Sequence, residues 1–330
     1  MNLITGATGH LGNVLIRQLT ERGEKVRALV LPNDNLTPLE GLDVEIVRGN
    51  VLDPDSLEQA LTGVEVVYHL AAMITIMPGK NNLVQRVNVE GTRNILAAAK
   101  KAGVRRLVYT SSIHAIQRVP RGVTIDERLP YDPNNPYGAY DTSKAQASLL
   151  VEEAARQGLD AVLVCPTGVI GPYDFHVSLI GSWFLSYLKG REVQYFEGGY
   201  DYVDVRDVAA GMIAAAEKGR KGESYLLSGG YLSNRDLAEH GRKLVGGNYR
   251  LRELPIALVN FLAKILPLYY RIGKISPLLT PYSIEVLQSN STISHEKATR
   301  ELGYQPRPLL DSLRDALMWF KENRARLIHH

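Results

Sequence analysis

The chain has 330 residues, 45% of them apolar and 22% charged, a balance that supports a packed core and excludes a disordered or collagen-like polymer. Its 38 Lys and Arg against 35 Asp and Glu leave a formal charge of +3; the bases are scattered rather than gathered into a stripe, so no nucleic acid partner is expected. A single cysteine, Cys165, allows no internal disulfide and no thiolate metal cage, so no metal is expected and a reducing, cytoplasmic setting fits.

The first residues, Met1-Asn2-Leu3-Ile4-Thr5, run straight into a glycine loop and lack the basic segment and longer apolar core of a signal peptide, so the mature protein is expected to start here. The terminal His329-His330 reads as the remnant of a tag and carries no functional weight. Short runs rich in Val, Ile, Leu or Tyr predict strands at residues 2–5, 25–31, 44–48, 65–69, 105–111 and 161–166. Helical patterns lie between them, among them residues 11–22, stopped by Gly23, and 83–102, stopped by Gly103. Strand–helix alternation of this kind is solved by a parallel sheet covered on both faces, a doubly wound α/β domain. Beyond Pro166 the pattern loosens, with helices expected at 179–188, 205–218 and 234–244 and short strands near 193–196 and 224–227, which predicts a smaller mixed α/β C-terminal lobe. Residues 254–270 are apolar but interrupted by Pro255, Asn260, Lys264 and Pro267, too broken for a transmembrane segment. They read as a helix pair closing over the substrate pocket or core, with an interfacial amphipathic helix as the other reading.

The first strand leads into Thr5-Gly6-Ala7-Thr8-Gly9-His10-Leu11-Gly12, whose three glycines fall three apart and end inside the first turn of a helix. Glycine permits the tight turn and the close approach of backbone, and helix N-terminal amides receive a pyrophosphate, so Gly6, Thr8, Gly9, His10, Leu11 and Gly12 are expected to bind a dinucleotide. The end of strand two, at Leu31, carries neither the acid that holds an adenine ribose diol nor the arginine that accepts a 2′-phosphate. Residues 30–41 nevertheless contain two acids, Asp34 and Glu40, and no base, which favours NAD, with NADP open if Arg27 or Arg48 reaches the site. Asn50 and Val51 after strand three are expected to flank the adenine. Leu70, Ala71 and Ala72 after strand four let backbone approach the cofactor.

Tyr140 and Lys144 stand one helical turn apart in a segment, 139–155, free of Pro and Gly. An ammonium close to a phenol favours phenolate and makes tyrosine a usable acid or base near neutrality. The fifth strand ends Thr110-Ser111-Ser112, at the sheet edge where ligands of such folds bind. A hydroxyl there can hold a substrate carbonyl oxygen while the tyrosine supplies a proton.

The order of these motifs, together with Val87-Asn88-Val89-Glu90-Gly91-Thr92, Pro166-Thr167-Gly168-Val169-Ile170-Gly171-Pro172 and Tyr202-Val203-Asp204-Val205-Arg206-Asp207, resembles the extended short-chain dehydrogenase/reductase family over nearly the whole chain. The resemblance implies a Rossmann domain at 1–172 plus about 203–228, and a substrate lobe at 173–202 and 229–330. It implies that Ser112 orients the substrate oxygen, Tyr140 is the acid/base, and Lys144 lowers its pKa and holds the nicotinamide ribose. Asn88 would stand in the helix beside the site, Thr110 beside the cofactor, and Pro166, Thr167 and Val169 along the nicotinamide. A homodimer through helices 83–102 and 139–155, with Ile95, Leu96, Leu149 and Leu150 on the contact faces, follows from the same likeness.

Sugar-nucleotide members of the family usually carry an asparagine and an arginine for the sugar diphosphate where this chain has Gly168 and Tyr200. A diphosphate lacking its cation would leave charge unpaired in a desolvated pocket. The Pro-Thr-Gly-Val-Ile-Gly-Pro run is more similar to dihydroflavonol-reductase-like and 3β-hydroxysteroid-dehydrogenase-like members, and Phe175, Trp183, Phe184 and Tyr187 are the expected apolar wall. The leading expectation is therefore an NAD(P)-dependent oxidoreductase interconverting an alcohol and a ketone on a comparatively apolar small molecule. A sugar-nucleotide epimerase or dehydratase, using Arg206 or Lys189 as the missing base, is the alternative. A non-catalytic dinucleotide-sensing protein is the third, although such proteins typically lose the tyrosine and lysine kept here.

Overall fold

Short Val, Ile and Leu runs form strands buried between two helical layers, because a parallel sheet must be covered on both faces. The computed structural model describes residues 1–189, 192–247, 249–273 and 279–328; the terminal His329-His330 lie outside them. The chain begins with β1 (Asn2–Thr5), α1 (His10–Glu21), β2 (Val26–Val30), β3 (Glu45–Arg48), α2 (Pro54–Ala60) and β4 (Val66–His69). It continues with α3 (Asn82–Gln85), a wide π turn at Arg86–Glu90, α4 (Gly91–Lys101), β5 (Arg106–Thr110), α5 (Ala139–Arg156), β6 (Ala161–Pro166) and β7 (Gly168–Ile170). Then come α6 (Leu179–Leu188), β8 (Val193–Tyr195), β9 (Gly199–Asp204), α7 (Val205–Lys218), β10 (Ser224–Leu227), β11 (Gly230–Ser233) and α8 (Asn234–Val245). The last elements are β12 (Leu251–Glu253), α9 (Ile256–Gly273), α10 (Pro281–Gln288), α11 (Glu296–Leu302) and α12 (Leu309–Glu322).

Seven strands make one sheet in the order β3-β2-β1-β4-β5-β6-β10, every neighbouring pair parallel. The strand order reverses between β1 and β4, whose ends are in register at Thr5 and His69. That switch point opens a crevice beyond the carboxyl ends of the strands, where open α/β sheets bind ligands. On one face Leu15, Ile16 and Leu19 of α1 meet Val208 and Met212 of α7. On the other, Leu57 of α2, Ile95 and Ala99 of α4, and Ala147 and Val151 of α5 make a second core. A third core joins α6, α8 and α12 beside the smaller sheet β7-β9-β11.

Several expectations require correction. The helix at 83–102 is a single helical run interrupted by the π turn, and α2 was not anticipated although Asp53 caps it, accepting from the Asp55 amide at 3.2 Å, and Pro54 starts it. Ile95 and Leu96 are buried against their own sheet, leaving no contact face for a partner there. Phe175, Phe184 and Tyr187 are almost fully buried and pack with Trp319, Phe320 and Tyr249, so they build the third core rather than line a pocket. Residues 254–270 are not a helix pair: α9 runs through Pro267 as one helix. It buries Val259 and Ala263 against Ile284 and Phe196.

Candidate active site

The glycine loop is shaped by close approaches. Gly6 adopts φ of +69°, and a Cβ there would stand 2.8 Å from the Ala71 nitrogen, while one on Gly12 would stand 2.2 Å from the Gly6 carbonyl oxygen. Helix α1 starts at Gly9 with no side-chain cap and no acid in its first turn. Its N-terminal amides and positive dipole end are therefore left for an anion, and a dinucleotide pyrophosphate fits them. His10 secures the loop through Nε2 to the Pro172 carbonyl at 2.9 Å, and Leu11 packs on the core beneath. Asp34 closes the other side: its carboxylate accepts from the Thr8 hydroxyl at 3.2 Å and from the Leu31 amide at 3.0 Å. Glu40 faces away, paired with Arg326. Arg27 stands at the amino end of β2, bound to the Ala60 and Thr62 carbonyls and Glu45, and cannot reach a cofactor. Arg48 is at the carboxyl end, donating to the Leu31 and Pro32 carbonyls.

A buried relay links the glycine loop to the π turn. The Thr5 hydroxyl accepts from the Leu70 and Ala71 amides at 3.1 and 3.0 Å, so its own proton goes to Nδ1 of His69 at 2.7 Å. That leaves the His69 proton on Nε2, donated to the Thr92 hydroxyl at 3.1 Å, which in turn donates to the Asn88 carbonyl at 2.6 Å. Burial holds the His69 pKa down at about 3, so the ring stays neutral. The Asn88 side chain clamps the loop after β4, bonding the Met73 amide and carbonyl at 2.7 and 3.0 Å and Ser143 at 2.9 Å.

Ser112, Tyr140 and Lys144 meet beyond the end of β5. The Ser112 side chain stands by the Tyr140 phenol and favours its ionised form, while the Ser112 hydroxyl accepts from the His114 amide at 3.2 Å. Ser111 instead bonds Ser148 at 2.6 Å, and Ser148 donates to the Lys144 carbonyl, so Ser111 fastens β5 to α5. Burial pushes the Tyr140 pKa up to about 12, helped by the Asp141 charge and opposed by the Ser112 side chain. The Lys144 ammonium is buried, donates to the Thr110 carbonyl at 2.5 Å and lies 4.6 Å from the centre of the Tyr109 ring. Burial brings its pKa down to about 7.

Beyond Tyr140 lies a cluster that the sequence reading missed. His114 stacks on Tyr200 with ring centres 5.8 Å apart and shares a hydrogen bond of 2.9 Å with its hydroxyl. Tyr282 of α10 donates to Asp141 at 2.5 Å, and Arg118 bridges Asp141, at 3.0 Å, to Glu285. Burial lowers the His114 pKa, the Asp141 charge opposing it. His114, Arg118, Tyr200 and Glu285 border a cavity of about 240 Å³ whose lining mixes Ile113, Ile116, Val119, Ile125 and Ile293 with Gln117, Arg121, Gln288, Ser289 and Asn290. His114, two residues past Ser112, was the one sequence signal for it.

The remaining cofactor candidates gather on the same strand ends. Leu31 is 47% exposed after β2. Asn50 accepts from the Leu52 amide at 2.9 Å, and Val51 packs over Gly91. Ala72 follows Ala71 at the exposed lip of the cleft. The Thr110 hydroxyl donates to the Met212 sulfur at 3.7 Å. Pro166 closes β6, the Thr167 amide donates to the Leu227 carbonyl at 3.3 Å, and Val169 lies in β7. Arg206, offered above as a diphosphate ligand, is held by Asp204 and Asp315. A Cβ on Gly168 would stand 2.8 Å from the Tyr200 ring and 2.9 Å from that of Tyr202, so two aromatic rings occupy the space an asparagine would need.

Residues 2–228 match the NAD dependent epimerase/dehydratase family. The chain is 37% identical to Sterol demethylase protein B of Methylococcus capsulatus, covering 97% of this chain and 98% of that one. It is 33% identical to a putative dihydroflavonol 4-reductase of Synechocystis, over 97% and 94%. It is 30% identical to a 3 beta-hydroxysteroid dehydrogenase/Delta 5-->4-isomerase of Mycobacterium tuberculosis, over 92% and 85%. Among solved structures, gox2253 superposes with a TM-score of 0.85 at 33% identity, covering 99% of both chains. The chain belongs to the NAD dependent epimerase/dehydratase family, enzymes of the extended short-chain dehydrogenase/reductase type.

Proposed function

We propose that the protein is an NAD-dependent oxidoreductase that interconverts a ketone and a secondary alcohol on a comparatively apolar molecule. The observation that carries this reading is the meeting of Ser112, Tyr140 and Lys144 beyond the end of β5, beside a cavity whose lining includes Ile113, Ile116, Val119, Ile125 and Ile293. The bound dinucleotide supplies or accepts the hydride. The Ser112 hydroxyl holds the substrate oxygen, and the Tyr140 phenol, protonated at neutral pH, donates to that oxygen in the reductive direction and recovers the proton in the oxidative one. Asn88 and the Thr5–His69–Thr92 relay hold the loops that frame the cleft, and the role we assign to Lys144 is to hold the nicotinamide ribose.

The rings of Tyr200 and Tyr202 over Gly168, and the engagement of Arg206 by two carboxylates, count against a sugar diphosphate substrate. The names of the relatives, a 3 beta-hydroxysteroid dehydrogenase/Delta 5-->4-isomerase and a putative dihydroflavonol 4-reductase among them, support an oxidoreductase acting on an alcohol or ketone. We further propose a cytoplasmic homodimer in which α3 and α5, bridged by Gln85 and Gln146 at 2.5 Å, present Leu83, Leu149 and Leu150 to a second copy. A concentration-independent monomer in sedimentation equilibrium ends that part. The enzymatic reading is tested by nicotinamide absorbance over a panel of apolar ketones and alcohols beside sugar nucleotides. Turnover confined to the sugar nucleotides overturns it.

A further inference from the structure

Helix α9 is held to the body by one face only. Val259, Ala263 and Tyr270 are buried, whereas Leu258, Phe261, Ile265, Leu268 and Ile272, spaced three and four apart, are 44–76% exposed and form one outward stripe. Large apolar side chains scattered singly on a surface need no explanation, but a contiguous row does. The charge pattern says what the row faces. Residues 254–284 contain no acid and three bases, Lys264, Arg271 and Lys274. In a two-fold contact the same segment meets itself, so a second copy would bring a stretch of basic sign against its own kind. An anionic bilayer surface matches both the apolar stripe and an acid-free sequence of basic sign. No helix among the described residues is long and apolar enough to cross a membrane.

The position of the helix adds a second argument. Asn260 and Lys264 of α9 line a cavity of about 330 Å³, which shares Glu285 and Gln288 of α10 and the following Ser289 with the cavity bordered by His114 and Tyr200. We propose that α9 seats the enzyme on a phospholipid bilayer of negative surface charge, and that the cavity beneath it admits a membrane-dissolved substrate to the active site. The route of entry rests on the apolar-substrate reading above; the docking does not.

The test is flotation of the full chain with vesicles of phosphatidylcholine mixed with phosphatidylglycerol, beside phosphatidylcholine alone. The expected result is flotation with the mixed vesicles that weakens as salt is raised, and a loss of at least about tenfold in binding for the double variant Phe261→Glu/Leu268→Glu. These side chains are on the surface, so the variant is expected to keep the thermal unfolding of the wild type and its turnover of a water-soluble ketone, while turnover of a vesicle-dissolved ketone falls. A wild-type protein that stays with the dense fraction overturns the docking. So does equal binding by the double variant, or a dimer that the double variant dissolves without any vesicle binding. Vesicle binding combined with no turnover of any apolar ketone overturns the function and leaves the docking standing.

Discussion

The carboxylate of Asp34 accepts a hydrogen bond from the hydroxyl of Thr8 at 3.2 Å, tying the loop after β2 to the glycine turn. It therefore stands on the side of the cleft where β2 ends, although it lies four residues past Val30 rather than at the strand end. A 2′-phosphate at that place meets a fixed negative charge, with Arg48 occupied by backbone carbonyls. NAD is expected to bind about tenfold more tightly than NADP, the equivalent of roughly 1.4 kcal/mol, and Asp34→Ser to narrow the gap by raising NADP affinity. Calorimetric titration of both cofactors checks this; tighter NADP binding by the wild type sinks it.

Tyr140→Phe removes the proton and keeps the ring. We expect kcat to fall by roughly 10²–10⁴, as for loss of a general acid, with cofactor affinity nearly unchanged. Undiminished single-turnover hydride transfer would exclude Tyr140 as the proton donor.

The serine pair separates by role. Ser112→Ala is expected to lower kcat strongly with little change in stability. Ser111→Ala breaks the buried bond to Ser148 and is expected to cost about 1 kcal/mol of stability with a milder loss of rate. Urea denaturation and steady-state kinetics on both variants distinguish the two patterns, and a reversal of them assigns the site to Ser111.

Lys144 has a pKa of about 7 in the folded protein against an ordinary value of 10.5. The unfolded chain thus binds this proton between pH 10.5 and 7 while the folded chain does not, so stability declines as pH falls through that window and the penalty is complete below 7. Lys144→Met is expected to stabilise the cofactor-free protein by about 2–4 kcal/mol at pH 6 while lowering cofactor affinity and kcat. Thermal unfolding at pH 6 and pH 10 tests it; a variant less stable than wild type at pH 6 contradicts it.

Asp201 presents the opposite case. It is buried, accepts from the Gly229 amide at 3.3 Å, and burial raises its pKa from 3.8 to about 6. The folded chain holds the proton that the unfolded chain has lost, so stability falls as pH rises from about 4 through 6 and the loss is complete above. Asp201→Asn keeps the acceptor oxygen and is expected to gain roughly 2–3 kcal/mol at pH 8 and almost nothing at pH 4. Equal stability of variant and wild type at pH 8 would refute it.

The alternation of Val-, Ile- and Leu-rich runs with amphipathic helices, and the glycine loop directly after the first strand, determined the doubly wound sheet, because period and turn chemistry are local properties of the chain. The Tyr140–Lys144 spacing was legible for the same reason: four residues make one helical turn. Where each side chain points was decided only by tertiary packing. Lys144 donates to the Thr110 carbonyl, a partner that the spacing does not reveal, because burial leaves its ammonium that carbonyl as an acceptor. Phe175 and Phe184 read as pocket wall but fill a core, since an apolar residue carries no mark of which cavity it closes. Asp141 of α5 stands more than a hundred residues from Tyr282 and Glu285 of α10, and only the packing of α10 against the mouth of the site joins them to Arg118. The outward face of α9 is likewise invisible in its composition: whether a leucine there is buried or exposed depended on which neighbour the fold supplied, and the fold covered one side of the helix.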